Sequence, residues 1–337
     1  MSADPVSANP VSADPVGLLF IGDPHLADRP VGFRRDDYPA VVLGKLRWCL
    51  EYSMRERLLP VVLGDLFHYP RDNGNRLLTE LFRLLPPGLA TIAGNHDCSE
   101  NTLCDADTLA VLAAAGRVRL LDDAPWTGTI HGATVSVGGT SWGRPLPERF
   151  DRAAAGSPDL VFWATHHDLR FAGYEDAARH DCREIPGIDA VVNGHIHRRL
   201  DDVIAGCTRW MNPGNIARVR RGDAGRGHVP GVLRVDVSRG PAHPPRWRAT
   251  RIALEHRPFE EVFHPEVRAE EPAAVGESLF VRQLAELESL RTAGGEGLQA
   301  FLDANLGAFD PRVAAEIRSL WDEVRDHEPT ETAPAGD

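Results

Sequence analysis

No apolar run in this chain approaches the roughly 20 residues that a membrane-spanning helix needs. The best candidate, Val16 to Gly22, has the length of a strand, and a membrane partner is not expected. The N-terminus lacks a basic stretch followed by an apolar one, so no secretory leader is expected and the cytoplasm is the expected location. Cysteine is sparse: Cys49, Cys98, Cys104, Cys182 and Cys207 are odd in number and show no paired metal spacing. They read as reduced thiols, not as a disulfide framework. Lysine is almost missing, since Lys45 is the only one and every other base is arginine. Positive charge is not in excess either: 37 basic residues against 49 acidic ones give −12. That imbalance is local. Residues 255–337 hold 19 acids and 7 bases, whereas 1–254 balance 30 against 30. The sign of the total therefore does not exclude a nucleic-acid partner for the first three quarters of the chain.

What is present suffices for a sizeable core. At 337 residues with 42% hydrophobic content, one large domain or two small ones is expected. A charged fraction of 26% together with the mix of aliphatics, glycine and proline excludes wholesale disorder, collagen and coiled coil. Residues 2–16 repeat SADPV, SANPV, SADPV and read as a disordered tail. Buried strands are expected at 17–22, 59–64 and 89–94, with helices over 37–58 and 76–85 between them. That rhythm argues for an α/β sheet with helices on its faces. Further strands are expected at 129–140, 160–165, 190–193, 209–212, 232–237 and 246–253, interrupted by one helix near 174–183; together they suggest a second sheet packed on the first. Beyond Pro265 the spacing turns helical, with Phe280, Leu284, Leu287 and Leu290 on one face and Val313, Ile317, Leu320 and Val324 on another.

Polar residues cluster where these strands end, the edge at which open α/β sheets bind ligands. Asp23-Pro24-His25 follows the first strand, Gly64-Asp65-Leu66-Phe67-His68 the second and Gly94-Asn95-His96-Asp97 the third. Thr165-His166-His167 and Asn193-Gly194-His195-Ile196-His197 follow later ones. In extended chain, residues two apart point the same way, so Asp23 with His25, and His195 with His197, can reach one ion.

This ordered set resembles the calcineurin-like metallophosphoesterase superfamily over roughly residues 17–254. The resemblance implies a four-layer α/β/β/α sandwich with two mixed sheets and two divalent metal ions at the strand ends. Carried over by motif, Asp23, His25 and His197 would hold one ion, Asn95, His166 and His195 the other, and Asp65 would bridge. His166 is taken over His167 because the family's ligand is usually the first of such a pair. His96 would contact the phosphate and assist the leaving oxygen, with Asp97 orienting it. Imidazole and carboxylate together favour Mn, Fe, Zn or Co over all-oxygen Mg or Ca sites, and Mn is the ion expected first. The organisation expected is a tail at 1–16, a catalytic domain at 17–262, an acidic helical segment at 263–329 and a tail at 330–337.

His68 narrows the resemblance to SbcD-type DNA repair exonucleases, in which a histidine at this offset helps position the scissile phosphate. Asn212-Pro213-Gly214-Asn215 is similar to that group's Pro-Gly-Ser turn, with Asn215 in place of serine. The expected function is thus a dinuclear-metal phosphodiesterase acting on nucleic acid, DNA first; the alternative is a small-molecule phosphatase or cyclic-nucleotide phosphodiesterase. Arg198, Arg199, Arg209, Arg218, Arg220, Arg221 and Arg226 follow the last ligands and either grip a phosphate backbone or form an ordinary solvated loop. By analogy with the same nucleases, residues 275–327 would dock an SMC-like ATPase, or cap the catalytic domain.

Overall fold

The structure, a computed structural model, describes residues 14–219, 221, 226–239 and 244–264. Residues 1–13 of the expected N-terminal tail, the C-terminal segment beyond 264 and Arg220 lie outside them; the end of that tail is in the fold, where the Val16 amide donates to the Arg57 carbonyl and the Pro15 and Val16 carbonyls accept from the His131 and Val237 amides. The first part of the chain runs β1 (Gly17–Ile21), α1 (Tyr38–Arg55), β2 (Leu58–Val62), α2 (Asn75–Leu84), β3 (Leu89–Thr91), α3 (Thr108–Ala114) and β4 (Val118–Leu120). Then follow β5 (Trp126–Ile130), β6 (Ala133–Thr140), β7 (Leu160–Thr165), β8 (Leu169–Arg170), β9 (His180–Asp181), β10 (Ala190–Asn193), β11 (Leu200–Ala205) and β12 (Thr208–Asn212). β13 (Gly231–Ser238), β14 (Arg246–Ala253) and α4 (Phe259–Val262) close the described chain.

Two mixed six-stranded sheets form an α/β sandwich, in the orders β14-β13-β1-β2-β3-β4 and β11-β12-β10-β7-β6-β5. β1 shows why its run is apolar without interruption. Leu18 and Phe20 point into the core between the sheets, with Val135, Phe162 and Val192. Leu19 and Ile21 point the other way, toward Val42, Leu46 and Cys49 of α1. α1 is specified locally: Asp37 caps it by accepting from the Ala40 amide at 3.2 Å, Pro39 sits in the first turn and Arg55 in the last. Its buried face, Tyr38, Val42, Leu46, Cys49 and Leu50, follows the three-to-four residue spacing.

Two expectations change. The run 129–140 is a hairpin: β5 and β6 pair antiparallel around His131 and Gly132, whose φ values of 46° and 77° suit a tight two-residue turn. The helix expected near 174–183 is absent. The Arg179 and His180 amides instead donate to the carbonyl of Asp168, and β8 pairs with β9. Tertiary pairing there overrides the local preference of a short Ala-containing segment. That stretch helps cover the outer face of the second sheet, where Trp163, Val191 and Trp210 pack against Leu169, Phe171, Ile185 and Ile188.

Parallel pairing sets the functional edge. β1 and β2 run in register to Ile21 opposite Val62, and β2 and β3 to Val62 opposite Thr91. In the second sheet, Asn193 of β10 lies opposite Thr165 of β7. The residues that follow these partners therefore emerge side by side. Among the described residues, no helix is long and apolar enough to cross a membrane.

Candidate metal centre

The five strand-end segments meet. His25 Nε2 lies 2.8 Å from His197 Nε2 and 3.4 Å from Asp65 Oδ2. On the other side of Asp65, Oδ2 is 3.3 Å from His166 Nε2, which is 3.2 Å from Asn95 Oδ1. Asn95 Oδ1 in turn lies 2.9 Å from His195 Nδ1. Asp23 joins through Oδ1, which accepts from the His195 amide at 3.1 Å and lies 3.6 Å from His166 Nδ1. Two groups of donor atoms close enough to hold an ion share Asp65: His25, Asp65 and His197, and Asp23, Asp65 and His166.

The backbone is bent to make this possible. Asp23, His25, Asp65 and His195 all occupy the left-handed region, with φ of 37°, 47°, 47° and 66°. Non-glycine residues rarely sit there, and their clustering at one edge is strain kept for a purpose. Gly94 is required for a different reason. A Cβ on it would meet the Asp65 carboxylate and amide nitrogen.

Burial makes the charges costly. Asp23, Asp65 and Asp97 are each at most 1% exposed, and removing a carboxylate from water costs several kcal/mol unless it is compensated. Burial acts to raise the Asp65 carboxyl, but the imidazoles of His166, His96 and His25 outweigh it and hold it well below the usual range. Burial, opposed by His166 and reinforced by Asp65, pushes Asp23 up to about 7. Burial would lower His166, yet Asp65 and Asp23 bring it up to about 9. Burial holds His25 well below its ordinary value. Asp23 Oδ2 and Asp65 Oδ2 are both buried without a hydrogen-bond partner. Two unsatisfied carboxylate oxygens among imidazole nitrogens and an amide oxygen suit divalent cations of intermediate softness.

Of the paired histidines, His166 enters the cluster. His167 turns away, its Nδ1 2.5 Å from Thr165 Oγ1 and its Nε2 2.8 Å from the carbonyl of Arg144. His96 stands at the edge: its amide donates to Asp65 Oδ1 at 2.8 Å, and its ring lies 4.7 Å from that of His25. His68 is beside it, 5.2 Å between ring centroids, and His25, His68 and His96 bring donor nitrogens within reach of one another. Asp97 does not orient the His96 ring. It accepts from the Leu66, Phe67 and Gly94 amides and ties the second and third strand ends together. The His96 ring is oriented by the carbonyl of His68 instead.

Three further contributors escaped the sequence reading. Asp168 Oδ1 lies 2.9 Å from His195 Nε2; its place two residues after His166 was the available signal. The Trp142 ring rests 4.9 Å from the His195 ring, at a strand end without a titratable group. Behind the edge, Asn212 Nδ2 donates to the Ile196 and Arg198 carbonyls and holds the loop bearing His195 and His197. The arginines are largely engaged within the fold: Arg198 with the Gly173 carbonyl, Arg209 with Asp202, Arg218 with the His228 and Arg257 carbonyls, Arg221 over the Phe33 ring and Arg226 with Glu260. Arg199 is exposed.

An α/β sandwich that gathers histidine, aspartate and asparagine donors on one sheet edge is the architecture of a metal-dependent hydrolase. The family model for calcineurin-like phosphoesterases matches residues 17–199, and the chain belongs to that family. Its members are metal-dependent phosphoester hydrolases and typically bind two divalent ions. No protein of curated function matches the chain. Among solved structures, the sulfate thiohydrolase SoxB of Thermus thermophilus, in complex with glycerol, is 14% identical with a TM-score of 0.41. The match covers 73% of this chain and 58% of that one. A predicted phosphoesterase of Streptococcus pneumoniae is 11% identical with a TM-score of 0.28, over 71% of this chain and 97% of that one.

Proposed function

We infer that this chain is a dinuclear-metal phosphodiesterase that hydrolyses nucleic-acid phosphodiester bonds, DNA first, in the manner of SbcD-type exonucleases. One observation carries the dinuclear part: Asp65 Oδ2, buried and without a hydrogen-bond partner, lies between His25 Nε2 at 3.4 Å and His166 Nε2 at 3.3 Å. His25 and His197 would hold one ion and Asn95, His166 and His195 the other, with Asp65 shared; the resemblance gives Asp23 to the first ion, although its Oδ1 lies 3.6 Å from His166 Nδ1 on the other side. Two divalent ions held there, manganese favoured, would supply positive charge to the phosphoryl oxygens and Lewis acidity to the attacking water.

The chain's own residues do the rest. The His68 carbonyl only accepts, so the His96 Nδ1 at 2.9 Å carries the proton. His96 Nε2 is then left to meet a phosphoryl or leaving oxygen, and only as the imidazolium, with a second proton on Nε2, does it act there as a general acid. His68, ring to ring with His96, positions the ester beside it. The choice of DNA rests on His68 and its offset from Asp65. The engaged arginines favour the second reading, a small phosphomonoester or cyclic nucleotide, because they leave fewer cations to follow a phosphate backbone. Docking of an SMC-like ATPase through 275–327 remains a proposal by analogy.

The test is a substrate panel with purified full-length protein and Mn²⁺: single- and double-stranded DNA, cyclic nucleotides and p-nitrophenyl phosphate. Cleavage of DNA is expected. Rapid turnover of cyclic nucleotides or the monoester with both DNAs intact overturns the nuclease reading.

A further inference from the structure

His195 has two neighbours of the same chemical kind, one on each nitrogen. Nδ1 faces Asn95 Oδ1 and Nε2 faces Asp168 Oδ1, each at 2.9 Å. A neutral imidazole carries one proton, so one of these contacts is a hydrogen bond and the other sets two lone pairs against each other. The carboxylate is the stronger acceptor, which places the proton on Nε2 and leaves Nδ1 bare on the Asn95 side.

Asp168 is itself held. Tyr174 donates its hydroxyl to Oδ1 at 2.8 Å, and Arg179 Nε lies 3.5 Å from Oδ2. Its carbonyl accepts from the Arg179 and His180 amides, which fixes the backbone through the β8–β9 ladder. On the ring face of His195, Trp142 lies at 4.9 Å with the planes 31° apart, so the imidazole has little room to turn over. The family-like motifs named above include no acid two positions after His166.

We propose that Asp168 is the positioning residue for the Asn95–His166–His195 half of the centre: it fixes His195 as the Nε2–H tautomer and aims Nδ1 at the ion that Asn95 Oδ1 shares. This rests on the dinuclear reading above. Asp168 acts through His195, whose Nε2 its Oδ1 meets, and is not placed among the ligands. Partners of this kind make a ligating imidazole more basic and hold its orientation, and losing one typically costs 10–100-fold in metal affinity.

The experiment uses full-length protein and the metal alone. Mn²⁺ is titrated into metal-free wild type, Asp168→Ala, Asp168→Glu and Asp168→Asn, with bound ion counted after equilibrium dialysis. In parallel, ¹⁵N spectra of the metal-free proteins report the His195 tautomer, assigned by comparison with His195→Gln. Wild type is expected to bind two ions with His195 protonated on Nε2. In D168A one ion is expected to weaken 10–100-fold while the other is unchanged, with the tautomer shifted toward Nδ1–H; D168E is expected to restore both partly. Should D168A fail to fold, D168N carries the same comparison with a smaller expected loss, since it keeps the side-chain size and an acceptor for Tyr174. Two ions bound with wild-type affinity and an unchanged tautomer overturn the proposal alone. Equal weakening of both ions also overturns it, because a general structural defect predicts that pattern. Fewer than two ions on wild type overturns the dinuclear reading, and the proposal with it.

Discussion

The backbone carbonyl of His68 lies 2.9 Å from His96 Nδ1, so the second strand end of the first sheet orients the side chain of the third. The contact ties two histidines that the sequence presents 28 positions apart. It fixes one nitrogen of His96 and leaves Nε2 for the ester, as the Leu63 carbonyl at 2.7 Å fixes Nδ1 of His166.

His96→Ala removes the proton donor without touching a ligand. Turnover is expected to fall by about 10²–10⁴, with metal content staying near two ions per chain. Steady-state kinetics and metal analysis of the same preparation check this. Loss of metal in that variant would instead make His96 a ligand.

Asp65→Asn replaces the one carboxylate that both donor groups share. The amide is uncharged, so Mn²⁺ occupancy and activity are both expected to fall. Equilibrium dialysis and the substrate assay report the two losses. An active, fully loaded variant contradicts the shared-ligand geometry.

The sheets and the cluster were legible because burial on both faces writes strands such as β1 as unbroken apolar runs, and parallel strands deliver their polar residues to one edge. That edge carries Asp23, His25, Asp65, Asn95, His166, His195 and His197; the resemblance to the phosphoesterase motifs is what singled them out as ligands. Contacts that depend on how loops return were not legible. The resemblance gave Asp97 the task of orienting His96, yet its carboxylate meets the Leu66 and Phe67 amides about thirty residues away. The Tyr174–Arg183 stretch has helix-compatible residues, but its Arg179 and His180 amides are spent on Asp168. His131-Gly132 makes a turn through backbone conformation, which apolar periodicity does not register.

Gly94→Ala tests how closely the backbone approaches the shared ligand. The added methyl would lie against the Asp65 carboxylate and amide nitrogen. Relief requires a shift of the turn or of the ligand, at about 1–3 kcal/mol by analogy with overpacked cores. Urea unfolding of the metal-free protein is expected to show that loss, and Mn²⁺ titration a weaker centre. Wild-type values in both measurements would mean the turn relaxes freely.

His228 supplies a pH dependence away from the ligands. It is 5% exposed, and its Nε2 lies 3.0 Å from the carbonyl of Asn215. Burial, only partly offset by that hydrogen bond, lowers its pKa to about 4. The folded protein therefore keeps this imidazole neutral while the unfolded chain protonates it below its ordinary value near 6.5. Stability is expected to fall as pH drops from about 6.5 to about 4 and to level off below, by at most on the order of 3 kcal/mol from this group. Asp23 and Asp97, raised to about 7, act in the opposite sense, so the informative quantity is the difference between two proteins. His228→Gln keeps an amide donor for the Asn215 carbonyl and has nothing to titrate. Its unfolding free energy, measured by urea at pH 7 and pH 4.5, is expected to drop less than that of wild type over the same interval. Equal drops in the two proteins would mean that His228 is protonated within the fold without cost.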